Sequence, residues 1–122
     1  MSQSEVRLAI VGSTVLDGNP LASVLLAAAA SWFRPDVIIS GGAAGVDRMA
    51  AQYARSHAIP LVEHLPKNPQ WEPEGYKERN VKIAEDCTIM LRISGFSSKT
   101  FGSGWTAKEA RRLGKSVVEI II

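Results

Sequence analysis

Apolar and polar positions along the chain switch repeatedly between a strand-like and a helix-like period. The β-rich run 6–11 (VRLAIV) ends at Gly12-Ser13 and predicts a first strand. After the loop 14–18, Asn19 followed by Pro20 marks a helix start, because asparagine caps the free amides and proline is tolerated only in the first turn. Leu21, Val24, Leu25, Ala28 and Trp32 then recur at helical spacing and form the expected inward stripe. The apolar run 21–33 reads as a buried helix, since it falls short of the roughly 20 residues needed to cross a bilayer. Residues 36–40 predict the second strand, and Val46, Met49, Ala50, Tyr53 and Ala54 the next helical stripe.

The second half repeats the alternation. A third strand is expected over 61–65, followed by a loop that Pro66, Pro69 and Pro73 keep from being helical. A helix over 75–86 has Tyr76, Asn80, Ile83 and Ala84 as its expected inward positions, and 87–93 reads as the fourth strand. The glycine- and serine-rich stretch 94–105 reads as a loop, with Thr106 as N-cap of a short helix, Gly114 as its stop and 116–122 as the last strand. This order predicts one α/β domain over residues 1–122, a three-layer α/β/α arrangement around a parallel sheet of about five strands. Ligands of such sheets bind beyond the carboxyl ends of the strands, where the strand order reverses. Gly12-Ser13, Gly41 to Asp47 and Gly102 to Thr106 are all expected at that edge.

Composition narrows the classes of function. Apolar residues make up 46% and charged residues 21% of the 122, as in ordinary globular domains, and the net charge of +2 gives no basic stripe for nucleic acid. The densest basic cluster, 108–115, contains Glu109 and reads as a solvated helix face. The single cysteine, Cys87, excludes an internal disulfide and fits a cytoplasmic location, and the N-terminus shows no secretory pattern. His57, His64 and Cys87 share no metal-ligand spacing, so neither a metal nor a cofactor is expected, and no segment suits a membrane. Gly114-Lys115-Ser116 resembles the end of a phosphate-binding loop, but it joins a helix to a strand, the reverse of the order that motif needs.

Chemistry concentrates in two places. Gly41, Gly42 and Gly45 separate an apolar strand from an amphipathic helix, which suits a close approach of phosphate to backbone amides. The Rossmann dinucleotide fingerprint is incomplete, because Ser40 stands where its first glycine belongs. Asn80 falls among the apolar positions of its helix, where a buried amide needs partners; a satisfied core amide and a ligand contact both fit the spacing, with Arg79 beside it.

Taken together, Gly12-Ser13, 40-SGGAAGVD-47, Arg79-Asn80 and 102-GSGWTAKE-109 resemble the SLOG superfamily, which joins DprA proteins with Lonely-Guy-type nucleotide phosphoribohydrolases. The similarity spans nearly the whole chain and is greatest to small single-domain bacterial and phage members. It implies a Rossmann-like domain that holds a nucleotide or a nucleotide-derived ligand such as an ADP-ribose-like molecule. Gly12, Ser13, Gly41, Gly42, Gly45, Asp47, Arg79, Asn80, Gly102, Gly104 and Thr106 are then the expected ligand-binding residues. Asp47 fits equally well as a charge complementing the helix dipole. In the phosphoribohydrolase branch, Arg79 and Glu109 would be catalytic, with Thr106 in its motif; here Thr100-Phe101, Ser103 and Trp105 depart from that motif, and Thr14 replaces an arginine common in small members. The expectation is therefore a nucleotide-binding sensor or carrier, with base-releasing hydrolysis as the alternative and single-stranded DNA binding below both. Many family members are dimers, so the resemblance also leaves a homodimer open.

Overall fold

The computed structural model describes residues 5–96 and 101–122. Strands β1 (Arg7–Gly12), β2 (Val37–Ser40), β3 (Leu61–Glu63), β4 (Ile89–Ser94) and β5 (Ser116–Ile121) form one sheet in the order β3-β2-β1-β4-β5. Every neighbouring pair is parallel, with Leu8 of β1 in register between Ile38 of β2 and Ile89 of β4. Helices α1 (Pro20–Phe33), α2 (Val46–Ser56), α3 (Tyr76–Asp86) and α4 (Phe101–Arg112) make the crossovers. The expected Rossmann-like α/β architecture is what the chain adopts.

The pleat of β1 explains how two helical layers share one sheet. Successive side chains point to opposite faces, so Leu8 and Ile10 join α1 and α2 through Ala22, Leu26, Val46, Met49 and Ala50. Ala9 and Val11 face the other way and pack with Ile83 and Ala84 of α3 and Ala107 and Ala110 of α4. Between β1 and β4 the chain reverses its direction of travel across the sheet, which leaves a crevice at the carboxyl edge.

Several local expectations need correction. Asn19 caps α1 as expected, its side chain accepting from the Ala22 amide at 3.0 Å. The inward face of α1, however, is Ala22, Leu26 and Ala30, whereas Leu21, Val24 and Trp32 are 55%, 64% and 83% exposed. This helix is apolar on every side, so periodicity carries no phase information, and small residues win the sheet-facing positions because they permit close approach. On α3, Asn80, Ile83 and Ala84 are buried as expected, but Tyr76 stands at the exposed entry. The fourth strand starts two residues later than expected, because Cys87 is the buried C-cap of α3.

Thr106 is no N-cap. Helix α4 begins at Phe101, and the Thr106 hydroxyl donates back to the Gly102 carbonyl at 2.8 Å inside it. Part of the expected loop 94–105 is thus helical, while positions 97–100 lie outside the described residues. Packing of Thr106, Ala107 and Ala110 into the core outweighs the weak helix propensity of the two glycines in the first turns. Gly114 stops the helix as expected, with a φ of +79° just past its last residue.

Candidate functional site

Four crossover segments meet at the carboxyl edge of the sheet. β1 leads into Gly12, where a Cβ would lie 2.0 Å from the Ile93 carbonyl oxygen and 2.7 Å from Val46 Cγ2. Ser13 follows, its amide donating to Ile93 O at 3.1 Å and its hydroxyl accepting from the Val15 amide at 3.3 Å. The side chain of Ser13 is only 1% exposed, so the turn is held from within.

The glycine loop is filled by the protein itself. A Cβ on Gly41 would lie 2.5 Å from Arg79 Nη1 and 2.9 Å from Asp47 Oδ2, so the missing side chain makes room for both charged groups. Gly45 combines a φ of +80° with backbone contact to the first loop, where a Cβ would come within 2.4 Å of Ser13 O and 2.5 Å of Thr14 Cα. The loop amides are also occupied: Gly42 N–H donates to the Ser40 hydroxyl at 3.3 Å, Ala43 N–H to Asp47 Oδ2 at 3.1 Å, and Val46 N–H to Ser13 O at 3.3 Å. The Asp47 carboxylate thus holds the loop ahead of α2, and the helix itself has no side-chain cap.

Asp47 is 8% exposed. Burial pushes its carboxyl up from 3.8 to about 6, against the opposing pull of the Ala43 amide and the nearby Arg79 guanidinium. Burial likewise lowers the Arg79 pKa, and Asp47 offsets part of that effect. Arg79 is fixed in a fork, with Nη1 donating to Gly41 O at 2.6 Å and Nε to Asn80 Oδ1 at 2.7 Å. Its guanidinium also lies over the Tyr76 ring, 5.5 Å from the centroid.

That fork settles the orientation of Asn80. Because Oδ1 accepts from Arg79, the NH₂ group is the other end of the amide, and no protein acceptor for it occurs among the described residues. The side chain is 5% exposed and lines the cleft.

The cleft measures about 400 Å³ and is walled by all four segments. Gly12, Ser13, Asp47, Arg79, Asn80, Gly102 and Thr106 line it, so most of the residues named from sequence converge. Gly41, Gly42, Gly45 and Gly104 are not in its lining. Gly41 seats Arg79, Gly42 faces Leu65 and Glu63, Gly45 backs against the first loop, and Gly104 faces Arg92. Glu109 also lies outside the lining, its carboxylate paired with Arg112 one turn along the helix surface. Sequence reasoning missed Trp71 and Ala43 in the wall, and took Tyr76 for a core residue. A tryptophan stranded among prolines and charges in 66–75 was the available signal. No group of histidine, cysteine or acidic side chains suited to a metal occurs among the described residues. None of the described helices is long and apolar enough to cross a membrane.

Residues 6–71, more than half of the chain, match the family model described as YAcAr, the YspA, cpYpsA-related SLOG family. The chain belongs to this family. Among solved structures, the one titled TM1055 superposes on this SLOG domain with a TM-score of 0.69 at 17% identity, covering 92% of this chain and 72% of that one. DNA processing protein A (DprA) from Streptococcus pneumoniae does so with a TM-score of 0.59 at 15% identity, covering 93% of this chain and 58% of that one. At these identities the likeness is one of fold. No curated protein matches the chain.

Proposed function

We propose that this SLOG domain binds a nucleotide or nucleotide-derived ligand in the cleft between β1 and β4. The observation that carries this reading is Asn80: a 5% exposed amide, locked by Arg79, whose two N–H donors have no protein acceptor among the described residues. The amide nitrogen is not among the buried atoms that lack a partner, so it reaches water at the cleft, where a ligand oxygen or ring nitrogen can accept from both N–H groups in place of solvent.

The division of amides suggests how the ligand lies. The amides of Gly42, Ala43 and Val46 are engaged by Ser40, Asp47 and Ser13, which favours placing the phosphate at the start of α4, where Gly102 and Ser103 line the cleft. The first four N–H groups of a helix have no intrahelical acceptor, and its dipole favours an anion there. Asp47, an acceptor when ionised, then suits a sugar hydroxyl rather than a phosphate. Because Glu109 pairs with Arg112 away from the cleft, the hydrolytic alternative lacks the carboxylate it assigned, and a sensor or carrier fits better.

The test is a thermal-shift and calorimetric panel of nucleoside mono- and diphosphates against the parent protein and Asn80→Leu. A ligand at one hundred times its dissociation constant should stabilise the parent by about 2.7 kcal/mol. Asn80→Leu, similar in volume and without polar atoms, should weaken binding at least tenfold. A flat melting temperature across the panel, or full affinity in a folded Asn80→Leu, would defeat the proposal. Release of free base by the parent protein would turn it into an enzyme.

A further inference from the structure

The cleft has two chemically unlike walls. Gly12, Ser13 and the first turns of α4 are small and polar, whereas the opposite side carries Trp71 and Tyr76. Trp71 belongs to the segment joining β3 to α3, which its proline content excludes from a helix but which is tied down along its length. His64 N–H donates to Ser40 O at 2.9 Å, Asn68 N–H to Glu74 O at 3.0 Å, Tyr76 N–H to Gln70 O at 2.8 Å and Lys77 N–H to Trp71 O at 2.9 Å. Gly75 lets the segment close on itself, since a Cβ there would lie 1.8 Å from Gln70 O. The Trp71 ring meets Trp105 of α4 at 5.2 Å between centroids and 87° between planes, an edge-to-face contact that fixes its attitude. A large aromatic ring is thus held in the wall of the cleft, on a segment tied down by backbone hydrogen bonds.

We infer that Trp71 forms an aromatic subsite for the planar base of the ligand, so that this cleft selects nucleotides over sugar phosphates. The inference rests on the proposed phosphate-ligand reading and adds an end-to-end direction: base towards Trp71, phosphate towards the start of α4. Stacking of a base on an aromatic side chain is tolerant of base identity, so the selection is for a base rather than for one particular base.

Binding of AMP and of ribose 5-phosphate, measured by calorimetry on the parent protein, Trp71→Phe and Trp71→Ala, tests this. The parent should prefer AMP by about tenfold or more. Trp71→Phe should keep most of that preference, and Trp71→Ala should bring AMP down to the level of ribose 5-phosphate while leaving ribose 5-phosphate unchanged. Quenching of intrinsic fluorescence by AMP should disappear in Trp71→Phe although Trp32 and Trp105 remain. A packing role alone would shift both ligands together, and that result would overturn the subsite. Equal affinity of the parent for both compounds would also overturn it while leaving the phosphate site intact. Binding of neither would remove the phosphate site and this subsite with it.

Discussion

Two helices, α2 and α4, begin at the same edge of the sheet and use the glycines at their starts differently. Leading into α2, the amides of Gly42, Ala43 and Val46 are engaged by the Ser40 hydroxyl, the Asp47 carboxylate and the Ser13 carbonyl, with glycines admitting those groups. The start of α4 also contains two glycines, but among the described residues a Cβ on Gly102 would meet nothing within 4 Å. Glycine in the first case serves close packing of the protein against itself, and in the second it leaves a cleft wall low. A glycine-rich loop before a helix is therefore not by itself a phosphate site; what matters is whether its amides are already engaged.

Substitutions at the two helix starts should separate the cases. The largest effect is expected for Gly45→Ala, where a positive φ and contacts of 2.4–2.5 Å to the first loop coincide. A loss of about 3 kcal/mol in urea unfolding, or failure to fold, is expected. A loss below about 1 kcal/mol would show that the loops are not tightly packed.

Asp47→Asn should act through pH. The unfolded carboxyl titrates near 3.8 and the folded one near 6, so the folded state binds the proton more tightly. Its stabilising contribution is complete below about pH 3.8 and is lost as pH rises through about 6. Asparagine removes the charge, so Asp47→Asn should stabilise the fold by about 1–3 kcal/mol at pH 7.5 and leave it near the parent at pH 4. Equal shifts at both pH values, read from denaturant midpoints, would contradict a buried, ionised Asp47.

Arg79→Lys should be milder. A single ammonium cannot reproduce both the 2.6 Å bond to Gly41 O and the 2.7 Å bond to Asn80 Oδ1, so about 1 kcal/mol of stability should go. Freed from the fork, Asn80 should bind ligand more weakly, which calorimetry would show; unchanged affinity would mean that its orientation is fixed otherwise. The smallest change is expected for Gly102→Ala, which should gain up to about 1 kcal/mol from helix propensity. Its methyl nevertheless enters the cleft lining, so a tighter fold with weaker nucleotide binding is the signature that distinguishes α4 from α2.

The strand-helix alternation was legible because each element begins or ends on strong punctuation, such as Asn19-Pro20, Gly12 and Gly114. The inward phase of α1 was not, since all its faces are apolar and only the sheet decides which one is covered. The start of α4 was misplaced because glycine and serine read as loop, while the packing of Thr106 and Ala107 that holds them helical is tertiary. Asp47, Arg79 and Asn80 were recognisable as a set, but not their division of labour. That Asp47 serves the glycine loop and Arg79 orients Asn80 depends on contacts between residues up to 38 positions apart. Trp71 escaped notice because a loop aromatic has no period to betray it.

The cleft lining runs from Val11 to Thr106, yet the segment shared with the family model stops at residue 71. Arg79, Asn80 and the start of α4 all lie beyond that point. A ligand gripping both portions would behave as a non-covalent cross-link across nearly the full chain length, closing a long loop whose entropy cost grows only slowly with its size. Its occupancy should therefore slow hydrogen exchange in β2 and β4, which do not line the cleft, together with β1 and the loops that do. Truncation to the shared segment would remove that latch altogether and leave the glycine loop without the arginine it was shaped to admit.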